Sequence, residues 1–471
     1  MSIQEKIRKL ISLGMNTGNE LSIYGNVSLA DYLKLSLKNK LLTIPDPLSF
    51  SLFQQALFSF LTKQAVYTKE QSRNFVEQIP QAPFIQRVDH GELFLDKGTF
   101  LNNFFYQIAA RENNIPFLLT KQCTRVKCTT NRQFLLGAGY IHSKDNTFKI
   151  FDKSKGHLKI ATLETLDDVE IVYDPQDKTK PYTVHPLLRK YIGSKFKHAA
   201  DAVAEINYDI WDQLQIKDKR PILFVNEKFC SDLIALHLDN KKSPIHTILM
   251  EHDILKSFME SYEAISDSPT KLLKKTTDLF WIRDGIALKP LKYSSEFNRL
   301  DLIEGEKVLK SIPMDKDSLK QNLENRIIYP DIVLAYLSIN ILTGLTAYGG
   351  TAQHEYLPAI KEILLDLDRK KHILSSSARK AIEATCPSVL NFSSLLSISP
   401  EISDDLENLN SSYDLNAFEK RITKKTLLEL VGDLSKISYM TDIEIPSPMM
   451  IRKGSIQIPQ SKKCTPENER S

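Results

Sequence analysis

From residue 84 onward, short apolar runs alternate with longer helical ones, and this alternation constrains the fold more than any other feature. IPFLL (115–119), FKIF (148–151), VEIVY (169–173) and ILFV (222–225) have the length and the β-branched and aromatic content of strands. Residues 99–112 and 198–213 between them read as helices. Strands alternating with helices predict an α/β layer architecture. The pieces between 144 and 180 are short and turn-rich, which predicts a small antiparallel insertion in that core.

The flanks read differently. Residues 1–83 form a helical region. Its opening, MSIQEKIRKLISLGM, sets Ile3, Ile7, Leu10 and Ile11 on one face. That pattern is an amphipathic helix packed on the core rather than a signal peptide. SFSLFQQALFSFLTKQAV (49–66) is a second helix, with Leu52, Leu57, Phe58 and Leu61 supplying most of its apolar surface. The α/β core with its insertion spans 84–240. Residues 241–385 read as mainly helical, 386–445 as C-terminal helices, and 446–471 as a flexible tail of Pro, Ser, Lys and Glu. No repeat of solenoid period runs through the chain.

Composition narrows the function. Hydrophobic residues make up 42% and charged residues 25%, as in a globular protein. The net charge is 62 − 58 = +4, spread thinly, which argues against nucleic acid as a partner. The longest apolar run, 332–345, is broken by Ser338, Asn340, Thr343 and Gly344, too short and polar for stable membrane insertion. The five cysteines, Cys123, Cys128, Cys230, Cys386 and Cys464, are irregularly spaced and read as reduced thiols of a cytoplasmic protein.

Three polar clusters interrupt the apolar pattern. In TGLTAYGGTAQHEYLP (343–358) a Gly349-Gly350 pair stands out in a chain with only 16 glycines. The pair reads as a loop between the buried 332–344 helix and an amphipathic helix near Pro358. Gly349 and Gly350 permit close approach of a ligand to the backbone. N–H groups opening the next helix can meet an anion. Thr351, Gln353 and Tyr356 add contacts, and His354 with Glu355 offers proton transfer. The plainer alternative is a tight helix–helix turn with His354 and Glu355 facing water. The second cluster, Asp89, His90 and Glu92, precedes a helix opened by Gly98 and Thr99, with Asn102 and Asn103 in its first turn. Its plainer alternative is a turn and a capped helix. The third, Gln122, Cys123 and Arg125, follows the IPFLL strand, where ligand sites of α/β sheets lie.

RIIYPDIVLAYLSINILTGLTAYGGTAQHEYLPAIKEIL and HGELFLDKGTFLNNFFYQI resemble segments of the cysteine-adding enzymes of bacillithiol biosynthesis. The matching positions are Gly349, Gly350, Glu355 and Tyr356, and the glycine-containing Leu-Phe loop with its following helix. The resemblance implies a Rossmann-like parallel-sheet core with large helical additions at both ends. It also implies a ligase that joins cysteine to a sugar-containing acceptor. The family's Gln-Gln loop is replaced by Asp89-His90-Gly91-Glu92, and its acidic stretch by Gln122-Cys123-Thr124-Arg125.

The expectation is therefore a small-molecule biosynthetic enzyme, a ligase or group transferase acting on an amine- or carboxylate-bearing substrate. His90, His354 and Glu355 would carry the chemistry. Asp89, Asn102, Asn103, Gln122, Arg125, Gly349, Gly350, Thr351, Gln353 and Tyr356 would bind. No Walker loop, GxGxxG or kinase signature names a cofactor, which stays unknown, as does the oligomeric state. Metal ligation by Asp89, His90, His354 and Glu355 lacks any pair at helical i, i+4 spacing. The competing expectation is a non-catalytic interaction protein. Convergence of the three clusters at one place separates the two.

Overall fold

The computed structural model describes residues 3–12, 14–38, 42–64, 66–88, 93–122, 125–127, 139–142, 146–154, 160–266, 273, 275–392 and 412–431. Glu92, Cys123, Cys128, Cys464 and the expected tail lie outside them.

Helices come first: α1 (Ile3–Ser12), α2 (Asn16–Tyr24), α3 (Leu29–Ser36), α4 (Pro47–Gln64) and α5 (Lys69–Glu77). The chain then enters strand β1 (Phe84–Val88), crosses through α6 (Lys97–Glu112) and returns as β2 (Leu118–Gln122). Asp96 caps α6 by accepting the Thr99 N–H at 2.7 Å. After the insertion, α7 (Ala199–Gln213) leads to β3 (Ile222–Val225) and on to α8 (Glu227–Leu238).

The second half continues with α9 (Pro244–Met250), α10 (His252–Ser266), α11 (Lys316–Glu324) and α12 (Ile332–Tyr336). A π-helical turn, Leu337–Ile341, extends α12. The chain then forms β4 (Thr346–Gly349), α13 (Thr351–Lys371), α14 (Ser376–Ala384) and β5 (Ser388–Leu390). Helices α15 (Leu415–Thr423) and α16 (Leu427–Leu430) pack beside α2 and α3.

All five strands are parallel, in the order β3-β2-β1-β4-β5. The chain leaves β1 toward β2 and later returns on its other side as β4. The register aligns Gln86 with both Tyr348 and Thr120. These side chains share the face covered by α6, where Thr120 Oγ1 donates to Asn103 Oδ1 at 3.0 Å and the Tyr348 and Tyr106 rings lie 5.3 Å apart. Ala347 and Lys121 point to the other face. Ala347 packs there in a cluster with Val333, Ile360 and Leu364.

The expected antiparallel insertion is present. Tyr140–His142, Thr147–Phe151, Asp167–Pro175 and Lys195–His198 form one antiparallel sheet. Within the region expected to be mainly helical, 241–385, the helices are joined by strands that were not expected. Phe280–Asp284, Ala287–Pro290 and Ile328–Pro330 join a second antiparallel layer with Ile160–Thr162 and Arg125–Lys127. Lys292–Ser294, Arg299–Glu304 and Lys307–Pro313 form a three-stranded meander.

The Gly-Gly motif is corrected as well. It does not join two helices, because Thr346–Gly349 is a strand beside β1 and α13 begins at Thr351. Pro358 therefore sits inside a helix and cannot donate to the His354 carbonyl. Asn16 Nδ2 donates to that carbonyl instead, at 3.2 Å. Cys230 is a buried free thiol, but Cys386 is disulfide-bonded, so the all-thiol expectation is corrected there. No helix among the described residues is long and apolar enough to cross a membrane.

Candidate functional site

Where a parallel sheet reverses its winding, the loops leaving two adjacent strands diverge and open a crevice at their carboxyl ends. Here that point lies between β1 and β4. Register places the ends of β4, β1 and β2 side by side: Gln86 aligns with Tyr348 and Thr120, and Val88 with Gln122. The chain thus leaves β4 at Gly349, β1 at Val88 and β2 at Gln122 along one edge of one sheet. Asp89 and His90, directly after β1, lie outside the described residues.

The β4 side is built by the turn into α13. Gln353 is fully buried, and its amide lies against the Gly349 α-carbon, where any Cβ would overlap it. That close approach is why glycine stands at 349. Gly350 is the N-cap of α13 and brings no side chain of its own. Thr351 opens the helix and is buried. The partial positive charge of this 21-residue helix therefore lies at the carboxyl edge of the sheet.

The next three residues turn away from the edge, and their expected roles are corrected. Glu355 is buried rather than facing water, and its carboxylate is taken up by α2. Its carboxylate accepts the Asn16 and Thr17 N–H groups at 2.8 and 2.7 Å and the Thr17 hydroxyl at 2.7 Å, capping α2. Burial pushes this carboxyl above the usual glutamate range, although the three hydrogen bonds pull it down. His354 is buried between β5 and α2, with Nδ1 3.2 Å from Ser388 Oγ and Nε2 3.7 Å from Glu20 Oε1. Tyr356 packs on Tyr336, their hydroxyls 3.2 Å apart.

On the β1–β2 side, Asn102 donates to the Gly98 carbonyl at 2.9 Å, and its own carbonyl accepts Asn391 Nδ2 at 3.0 Å. Asn103 is fully buried and ties α6 to β2, donating to the Thr99 carbonyl at 2.9 Å and accepting from Thr120. Its expected contact with substrate is corrected to a structural tie. Arg125 opens a strand paired antiparallel with Ile160–Thr162, so its backbone belongs to the neighbouring layer and not to the parallel sheet. Gln122 ends β2 at 1% exposure, and neither atom of its amide has a hydrogen-bond partner.

Sequence reasoning missed three features of this edge. Gln86, fully buried in β1, also has no partner for either amide atom. Lys121 and Glu227 form a buried ion pair, 3.0 Å apart and 5% and 2% exposed, between β2 and the first residue of α8. Asn391, just after β5, donates its backbone N–H to the Gly349 carbonyl at 2.6 Å and so links β5, β4 and α6. A signal for the first two was present: Gln86 follows Phe84-Ile85 and Lys121 follows Leu118-Leu119, polar residues just after apolar runs, where burial must be compensated.

Among the described residues, no group of three or more His, Cys, Asp or Glu side chains is arranged to hold a metal ion. An open cleft of about 370 Å³ lies at the opposite, amino edge of the sheet, lined by Lys34, Lys38, Gln81, Phe84 and Asn113. Its two lysines are exposed. No protein-family model matches this chain, and no curated protein matches it.

Proposed function

We propose that this chain is a Rossmann-like enzyme that binds a small polar substrate at the carboxyl edge of β4, β1 and β2 and carries out ligation or group transfer on it. One observation supports the reading: three parallel strands distant in sequence end side by side at one topological switch point, where Gly349-Gly350, Val88 and Gln122 leave the sheet. The strand order supports the Rossmann-like assignment. The α13 N-terminus, reached through Gly350, suits a substrate carboxylate. His90, next to the end of β1, is the general base of this reading. The resemblance to cysteine-adding enzymes makes an amino acid, which carries both amine and carboxylate, the first ligand to try.

A thermal-shift screen with cysteine, other amino acids, ATP, sugar phosphates and divalent metals tests this. A ligand at 100 times its Kd stabilises the folded state by about 2.7 kcal/mol. The shift disappears in Gly350→Asp, whose carboxylate occupies the anion position while capping α13. A shift of full size in Gly350→Asp places the ligand elsewhere and refutes the reading.

A second reading, a non-catalytic interaction protein, rests on the meander. Its outer strand Lys307–Pro313 is an edge strand that exposes Val308 and Leu309 at 48% and 52%, beside Ile303 at 46%. Such an edge is a template for pairing with another chain. If this reading holds, the parent self-associates or captures a partner, and Val308→Lys abolishes it while leaving the thermal shifts intact.

A further inference from the structure

The sheet face beneath α6 carries an unusual buried polar layer. Gln86 and Gln122 are 0% and 1% exposed, and all four of their amide atoms have no hydrogen-bond partner. Buried amides almost always have partners, so four orphaned atoms in one place call for a specific cause. Between them sits Thr120, which is satisfied by Asn103. Gln86 is directly across from Thr120, and Gln122 is two residues beyond Thr120 toward the carboxyl edge. The two glutamines are therefore diagonal neighbours on one face, with Cα atoms about 8 Å apart. Helix α6 runs antiparallel to the strands. Two residues up β2 correspond to about one helical turn back from Asn103, which sets Gln122 beneath the first turn of α6.

We infer that Gln86 and Gln122 form the subsite for an uncharged group that both donates and accepts hydrogen bonds, a carboxamide on the ligand. The inference rests on the proposed binding edge and specifies part of what binds there. A primary amide matches the two glutamines because each offers one donor group and one acceptor. An anion is disfavoured on this face. Asp96 already places a carboxylate at the α6 N-terminus. Lys121, the cation carried by β2, lies on the opposite face in its pair with Glu227. The anionic part of a ligand belongs instead at Gly350 and Thr351, across the crevice.

Saturation-transfer NMR on the full chain tests this with four probes: acetamide, L-glutamine, acetate and inorganic phosphate. The variants are Gln86→Met and Gln122→Met, which keep side-chain length and remove the amide, and Gly350→Asp. The amide probes bind the parent, and their Kd rises at least tenfold in each methionine variant. Acetate is unaffected by the methionine variants and lost in Gly350→Asp. Amide binding that survives both methionine variants, or no amide binding to the parent, overturns the inference. If acetate still binds and is lost in Gly350→Asp, the binding edge stands and only the amide subsite falls. If no probe binds the parent, both fall.

Discussion

Replacing Gln86 by methionine removes an amide that sits fully buried with neither atom hydrogen bonded. An unsatisfied buried polar group costs about 1–3 kcal/mol. The two atoms share one amide, so the expected relief is roughly 2–3 kcal/mol in total. Methionine has the same unbranched length, and a near-isosteric core change costs less than about 1.5 kcal/mol. The ligand-free variant is therefore more stable by about 1–2 kcal/mol. Unfolding entropy near 2.1 cal/mol/K per residue, over 471 residues, makes this a Tm rise of about 1–2 °C if the chain unfolds as one unit. Urea denaturation resolves it better, as a higher midpoint at unchanged slope. Thr120→Val is the control. It removes the donor to buried Asn103 and destabilises by about 1 kcal/mol. A Gln86→Met protein less stable than the parent by 1 kcal/mol or more (about 1 °C by the same arithmetic) shows that the amide is satisfied in the free protein, and the reasoning fails.

Other consequences follow from the same geometry. Glu355→Ala strips three hydrogen bonds from α2 and costs about 3 kcal/mol, read by urea denaturation, with ligand affinity per folded molecule unchanged. Burial raises the Glu355 carboxyl, so the folded state holds its proton more tightly. Its contribution is fully present below the unfolded value of about 4.3 and is lost as pH rises through the folded value, and Glu355→Gln flattens that slope. His237 behaves oppositely. Burial lowers it to about 3, so its contribution is present above pH 6.5 and is lost as pH falls, by about 2 kcal/mol at pH 5. Denaturation at pH 7 and pH 5 shows this loss in the parent and not in His237→Gln. Gly350→Asp is as stable as the parent or better by a few tenths of a kcal/mol, because it gives α13 a capping side chain, and so separates loss of ligand from loss of fold.

Legibility of the fold followed the strength of the local pattern. β3 was visible because ILFV is apolar on both faces, as a buried parallel sheet requires, and β2 through the Leu118-Leu119 pair that opens it. β1 was hidden because FIQRV carries Gln86 and Arg87, which interrupt the apolar run that marks a buried strand. β4 was hidden because 332–345 is apolar all round, so periodicity could not show where helix ended and strand began. The antiparallel strands around 280–313 had a signal that went unused. Gly285-Ile286 and Gly305-Glu306 are two-residue hairpin loops that open on a glycine with positive φ, between alternating runs.

The candidate site was half legible for a related reason. Only the Gln122 cluster reads as following a strand, and β2 does end at Gln122; the Gly349 pair reads as a loop between helices and the Asp89 cluster as the approach to a helix. Within 353–356, though, polarity marked packing partners: Glu355 caps a helix more than 300 residues away in sequence. No local pattern encodes that contact. Glu355 and His354 look like catalytic residues for the same reason that they serve as buried hydrogen-bonding partners, which is strong hydrogen-bonding capacity.

The most direct test is a crystal structure with the ligand that gives the largest thermal shift. Density for that ligand at the carboxyl edge, with an anionic group on the Gly350 and Thr351 backbone and a neutral polar group reaching Gln122, is the result predicted here. Density in the amino-edge cleft beside Lys34 and Lys38, or on the outer strand of the meander, contradicts the account.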